Sequence, residues 1–159
     1  MAKTQTIRFR DDRYYAPSEH MWVKLEDRRA RIGLDALGCW AAGTIAHIDL
    51  QRPAKRLLRV GAAFGTLEAN KFVGALRAPL RGTILAVNEA PLQNPRLLNT
   101  DPYGEGWLVV LEPTHFAEDL VSLVHGREAI LRYASEKVTE YRQRGILPDD
   151  AEQIQVVVQ

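Results

Sequence analysis

The sequence predicts a mainly β protein, a small sandwich or barrel with a helical segment near its C-terminus. Short apolar runs closed by turn residues fill the middle of the chain, and Gly43, Gly61, Gly65, Gly74 and Gly82 recur there, as they do where strands bend or pack closely. Helical spacing of apolar residues is concentrated after residue 116.

The runs follow in order. "MWVKLE" (21–26) and "RARIGL" (29–34) read as a pair of strands, and "LDALGCWA" (34–41) as a short helix beginning after Asp35. "GTIAHIDL" (43–50) sets Ile45, His47 and Asp49 against Ala46, Ile48 and Leu50, the alternation of a half-buried antiparallel strand. "GAAFGTLE" (61–68), "FVGALRAP" (72–79), "GTILAVNE" (82–89) and "GWLVVLEP" (106–113) complete the strand set. "GTIAHIDL" and "GTILAVNE" begin alike, over too short a length to establish a repeat. Residues 116–145 then carry Leu120, Leu123 and Val124, and after Gly126 Ile130, Leu131, Tyr133, Val138 and Tyr141, which predicts two helices. Gly145 and Pro148 end the second, and "DDAEQIQVVVQ" (149–159) is expected to be a mobile tail with "VVV" available for docking.

At 159 residues, with 46% hydrophobic and 26% charged residues, the composition is that of one ordinary globular domain. No apolar run reaches the roughly 18 residues of a membrane span, and the first fifteen residues lack the apolar centre of a secretory signal, so a cytoplasmic location with no membrane partner is expected. A single cysteine, Cys39, excludes a disulfide framework, so redox chemistry would need an added group. The charges nearly balance, 21 basic against 20 acidic, but Arg52, Lys55, Arg56 and Arg59 cluster, with Arg77 and Arg81 on either side of Pro79. No aromatic interleaving accompanies that patch, and no nucleic-acid partner is expected.

Catalytic signatures are missing: there is no phosphate loop, HExxH, CxxC or GxSxG. His20, His47, His115 and His125 lack ligand spacing, so no metal is expected, and Trp22, Trp40 and Trp107 read as packing residues. What remains is "GTLEANKFVGALRAP" (65–79), where two strand-like segments meet at "ANK" and project Lys71 from a tight turn. Asn70 is suited to left-handed backbone there.

The segments "YYAPSEHMWV", "RIGLDALG", "GAAFGTLEANK" and "APLRGTILAVNEAPLQNPRLLNTDPYGEGWLVVL" resemble, in order and spacing, the H protein of the glycine cleavage system and its lipoyl-domain relatives. The likeness covers residues 14–133, leaving residues 1–13 as an N-terminal extension and 134–159 as a helical extension and tail. It implies a barrel-sandwich hybrid of two antiparallel sheets and a non-catalytic carrier. Lipoate would be attached covalently to Lys71, with Glu68 at the family's acidic position three residues earlier. On that reading Asn70 and Phe72 flank the attachment point, and a lipoate–protein ligase or other lipoylation enzyme is a partner.

The departures from the family pattern fall near the arm. The family's acids just before the first-strand tryptophan and four residues after the lysine are Met21 and Ala75 here, and a histidine near the end of the first helix is Ala41. Ala69 and Asn70 replace a serine and a small aliphatic residue, and Phe72 replaces a small residue. Two lost carboxylates remove the expected partners of an ammonium and imply a more apolar arm cleft lined by Met21, Ala75 and Phe72. The expected cargo is therefore a sulfur intermediate, exchanged with a heterodisulfide-reductase-like complex in sulfur oxidation. The alternative is an H protein shuttling the aminomethyl group among glycine decarboxylase, aminomethyltransferase and dihydrolipoamide dehydrogenase. From another class, an unmodified interaction module would use the basic patch.

Overall fold

The protein is described by a computed structural model over residues 5–52, 56–146 and 154–159. Lys55 and Pro148, named above in the basic patch and as a helix stop, lie outside the described residues. The elements in chain order are β1 (Gln5–Phe9), β2 (Tyr14–Ala16), β3 (Met21–Glu26), β4 (Arg29–Leu34), α1 (Ala36–Ala42) and β5 (Ile45–Leu50). They continue with β6 (Ala63–Ala69), β7 (Val73–Arg77), β8 (Gly82–Val87), α2 (Ala90–Gln93), α3 (Leu97–Thr100) and β9 (Val109–Pro113). The chain closes with α4 (Phe116–Leu120), α5 (Arg127–Gln143) and β10 (Ile154–Val158).

Two antiparallel sheets form the body, one in the order β2-β3-β4-β9-β8 and the other β5-β6-β7. Their inward faces enclose a core of Val23, Ile32, Ile48, Phe64, Leu67 and Leu111, among others. Each strand run read from the sequence is a strand, and the short helix after Asp35 and both C-terminal helices are present. The strict alternation expected along β5 is broken. Ile45, Ile48 and Leu50 are buried while Ala46, His47 and Asp49 are exposed, because the pairing with β6 shifts between Ile45 and His47. A bulge absorbs one residue and returns the next side chain to the same face, which strict two-residue periodicity does not express.

The chain ends depart most from expectation. Residues 1–13 were expected to form an extension, yet Ile7 and Phe9 of β1 are buried. The tail was expected to be mobile, yet β10 pairs in parallel with β1, from Gln5 opposite Ile154 to Phe9 opposite Val158. Gln159 donates to the Phe9 carbonyl at 2.9 Å and accepts from the Asp11 amide at 2.8 Å. Arg127 of α5 donates to the Val158 carbonyl at 2.7 Å. The structural reason is a second core, in which Ile7, Phe9, Trp22, Ile130, Ala134 and Val158 pack together. Each end of the chain buries the other's apolar side, so neither reads as structured alone. α5 also runs straight through the expected boundary at residue 133, with Ala134 fully buried.

If β10 is part of this second core, Val158→Ala lowers unfolding free energy by about 1–3 kcal/mol, from the transfer and cavity terms of losing buried methyl groups. Urea denaturation of the full chain measures this, and an unchanged midpoint would mean that the terminal strand contributes nothing.

Candidate functional site: a lysine at a hairpin tip above a cleft

β6 and β7 form a hairpin whose tip is Asn70, Lys71 and Phe72, closed by the Ala69 amide donating to the Phe72 carbonyl at 2.8 Å. Lys71 is exposed, as are Glu68 and Asn70. The tip is held from below at three points. The Lys71 amide donates to the Ala42 carbonyl at 3.0 Å, the Asn70 amide to the Thr44 carbonyl at 3.1 Å, and the Thr44 amide to Asn70 Oδ1 at 2.8 Å. Asn70 does not adopt left-handed backbone, since the described non-glycine residues with positive φ are His20 and Asp27. Its contribution is the side-chain acceptor for Thr44, which fastens the tip to the corner after α1.

That corner is Gly43, at φ +84 and ψ −152, a region open in practice to glycine alone. A Cβ on Gly43 would lie 2.0 Å from Asn70 Oδ1. From the other side Asn99 donates through Nδ2 to the Gly43 carbonyl at 2.8 Å and accepts from the Ile45 amide at 3.0 Å. Asn99 belongs to "VNEAPLQNPRLLNTDPYGEGWL", whose fold is tied in turn by Asn88. Asn88 Nδ2 donates to the carbonyls of Glu105 at 2.8 Å and Trp107 at 2.7 Å. The stretch that carried the family resemblance thus locks the hairpin tip to the scaffold.

Beside the tip lies a cleft of ≈ 400 Å³, within the range of roughly 300–1,000 Å³ typical of small-molecule sites. Lys71 and Phe72 border it, and Met21 and Ala75 line it as the sequence predicts, with Ala41 beside them. Leu34, Leu67 and Leu76 add to this apolar surface. The Phe72 ring folds back over Gly74, where a Cβ would meet its Cζ at 2.5 Å, and remains 47% exposed. Glu68, though near in sequence, is outside this lining and pairs across the sheet with His47. An apolar trough ending at a lysine suits a long, mostly hydrocarbon arm with a sulfur-bearing head.

Other lining residues were not anticipated. Glu19, two positions before Met21, is among the residues that line the cleft, and no hydrogen bond or ion pair engages its carboxylate among the described residues. His20 also lines the cleft, with φ 56, its Nδ1 2.7 Å from the Tyr133 hydroxyl and its Nε2 against the Tyr141 hydroxyl. Tyr133 donates to Asp35 Oδ2 at 2.6 Å, and the wholly buried Asp35 also accepts the Gly38 amide at 2.8 Å as the cap of α1. Burial and then the nearby Asp35 carboxylate push the Tyr133 hydroxyl well above its ordinary range, so it stays a donor. The remaining histidines are structural or exposed: His125 stacks on Tyr14, His115 bonds Thr114, and His47 is solvent-facing. Among the described residues no group of three or more His, Cys, Asp or Glu is placed to hold a metal, and no helix is long and apolar enough to cross a membrane.

Three members of the basic patch are engaged within the chain, and one of them, Arg77, also lines the cleft. Arg52 pairs with Glu89, Arg77 donates to the Gly61 carbonyl at 2.9 Å, and Arg81 forks onto Asp119 at 2.8 Å and Glu118 at 2.9 Å. Arg56 and Arg59 remain exposed.

A two-sheet β scaffold presenting one lysine from a fastened hairpin tip over an apolar trough is the architecture of a carrier for a lysine-linked group. The family model described as Glycine cleavage H-protein matches residues 13–136. The chain is 35% identical to glycine cleavage system H protein 2 of Aquifex aeolicus, over 84% of this chain and 80% of that one. To the glycine cleavage system H protein of Thermosynechococcus vestitus it is 36% identical, over 79% of this chain and 97% of that one. The crystal structure of a glycine cleavage system H protein from Mycobacterium marinum superposes with a TM-score of 0.68 at 28% identity, covering 80% of this chain and 98% of that one. The chain belongs to the glycine cleavage H-protein family, whose members are non-catalytic carriers of lipoate on a lysine.

Because Gly43 holds the tip through a conformation that other residues avoid, Gly43→Ala is expected to cost about 1–3 kcal/mol and to displace Asn70. Thermal melting would register the first effect, and loss of protection of the Thr44 amide in hydrogen exchange the second.

Proposed function

We propose that the chain is a lipoyl carrier of the glycine cleavage type, with Lys71 as the attachment point. The observation that carries this reading is an exposed lysine on a hairpin tip whose Asn70 and Lys71 amides are tied to the corner after α1, directly beside a cleft lined largely by apolar residues. When attached, lipoate supplies a pair of sulfurs that the chain itself lacks, able to take up and release a carried group or electrons. The residues divide the remaining tasks. Ala69 to Phe72 fix where the arm begins, and Glu68, exposed on β6, presents the tip to a lipoylation enzyme. Met21, Ala75 and Phe72, with Leu67 and Leu76, offer the arm a water-poor resting surface. A flexible arm on a rigid origin gives the carried group a high effective concentration at each partner's active site.

For the cargo, the relatives' names favour glycine cleavage, with glycine decarboxylase, aminomethyltransferase and dihydrolipoamide dehydrogenase as partners. Glu19 supports that choice, since it returns to the cleft wall a carboxylate suited to an amine. The sulfur cargo expected from Met21 and Ala75, with a heterodisulfide-reductase-like complex as partner, takes second place. Its support is the apolar floor those two residues make, and no relative described above is named for it. The interaction-module reading is weaker still, because Arg52, Arg77 and Arg81 are engaged within the chain.

Intact-mass measurement on protein from its native host is expected to show a lipoyl adduct that disappears in Lys71→Arg; an adduct that persists would remove Lys71 from its role. Given glycine and purified glycine decarboxylase, the lipoylated protein is expected to load its arm, and Glu19→Gln to shorten the lifetime of the loaded form about two- to fivefold, the scale of a partly exposed charge pair. Failure to load would favour the sulfur cargo.

A further inference from the structure

Part of the cleft wall comes from outside the span that the family model matches. That match ends at residue 136, yet Tyr141, Arg144 and Ile146 line the cleft beside Lys71. Their position follows from how α5 stops. Gly145 takes φ +72, its amide donates to the Arg142 carbonyl at 3.1 Å, and the Ile146 amide donates to the Tyr141 carbonyl at 2.9 Å. This is the Schellman ending, in which the residue after the glycine is brought back to the residue five positions earlier, usually with an apolar contact. Here those two residues are Ile146 and Tyr141, so the device that terminates the helix also delivers both to the cleft.

Tyr141 is held from a second direction. Tyr133 spends its proton on Asp35, so its oxygen accepts from His20 Nδ1–H, and His20 Nε2 is hydrogen-bonded to the Tyr141 hydroxyl. The end of α5 is thereby connected through His20 and Tyr133 to the buried cap of α1. His20 sits in a left-handed conformation uncommon for a non-glycine residue, sustained by hydrogen bonds at both ring nitrogens and by its carbonyl accepting the Asp35 amide at 2.7 Å.

We propose that residues 141–146 form a resident wall of the arm cleft, and that Tyr141 and Ile146 cover the head of the group attached at Lys71. The proposal rests on Lys71 being the attachment point. Arg144, tethered to Glu140 at 3.6 Å, stands at the same wall and contributes a positive charge to it.

The test uses the full chain, lipoylated by a lipoate–protein ligase, reduced with a phosphine and treated with iodoacetamide while intact mass is followed. Cys39 does not compete, because it is buried and burial pushes its thiol well above the ordinary range. The wild-type dithiol is expected to react more slowly than free dihydrolipoamide. Ile146→Ser and Tyr141→Ala are expected to speed alkylation about three- to tenfold by removing apolar cover, and Ile146→Leu to keep the wild-type rate. Ile146 is only half-buried at a helix end, so its serine variant keeps the test open even if Tyr141→Ala fails to fold. Equal rates in the wild type, Ile146→Ser and free dihydrolipoamide would overturn the wall, as would a slow wild type unaffected by Ile146→Ser. Absence of the adduct, or its persistence in Lys71→Arg, would instead overturn the attachment reading beneath it.

Discussion

Gly43 turns the chain between α1 and β5 in a conformation that leaves no space for a side chain, and the site depends on that turn. Asn70 Oδ1 fills the place a Cβ would take and accepts the Thr44 amide, while Asn99 grips the Gly43 carbonyl and the Ile45 amide from the opposite side. A hairpin tip by itself is a mobile place from which to present a long arm. Fastened to the corner after α1, which Asn99 of α3 grips in turn, its backbone becomes a fixed origin. The free motion is then left to the lysine side chain and whatever it carries.

The second core does for the ends of the chain what this corner does for the hairpin. β1 and β10 make a parallel pair that neither could form alone, and Phe9, Trp22, Ile130 and Val158 bury one another around it. Trp22 is wholly buried with its ring N–H donating to the Pro102 carbonyl at 3.0 Å, and Arg13 lies over its face at 4.5 Å. Through α5 this core also positions the last helical turn, so closure of the chain ends and shape of the cleft are parts of one packing arrangement. Two-stranded sheets are marginal without such cover, which is why the pair exists only in the company of the helix.

The polarity of the cleft is set by the charged side chains in its lining, Glu19 on one side of the balance and Arg77 and Arg144 on the other. Counting motif positions removes two acids, at Met21 and Ala75, and points away from an amine. The folded chain adds Glu19 to the same lining, from the turn that leads into β3. The arginines also lose their apparent meaning. Arg81 neutralises Asp119, whose carboxyl burial pushes up and whose hydrogen bonds from Arg81 hold below its usual range, so that charge serves the joint between β8 and α4. Charge counted along a sequence overstates what a partner meets whenever the opposite sign is folded against it.

The sequence by itself determined the seven central strands β3 to β9, the helices α1, α4 and α5 and the position of Lys71 between two strands, because two-residue and 3.6-residue periodicities and turn residues are local properties, whereas β1, β2, β10 and the short α2 and α3 were not legible in it. The resemblance of the spacing around "EHMW" and "EANK" to that of H proteins singles out Met21, Ala75 and Phe72, and the folded chain gathers the three at one cleft. Only the tertiary structure decided that β10 docks on β1, that the β5 pattern breaks at a bulge, and that Asn70 serves through its side chain. Each of those depends on a partner distant in the chain, and no periodicity records it. The same holds for Glu19, Tyr141 and Ile146, which share the cleft lining with Lys71 from sequence positions about fifty to seventy-five residues away. Local pattern specifies which residues can bury a face, whereas the face they end up sharing is set by the packing of the whole chain.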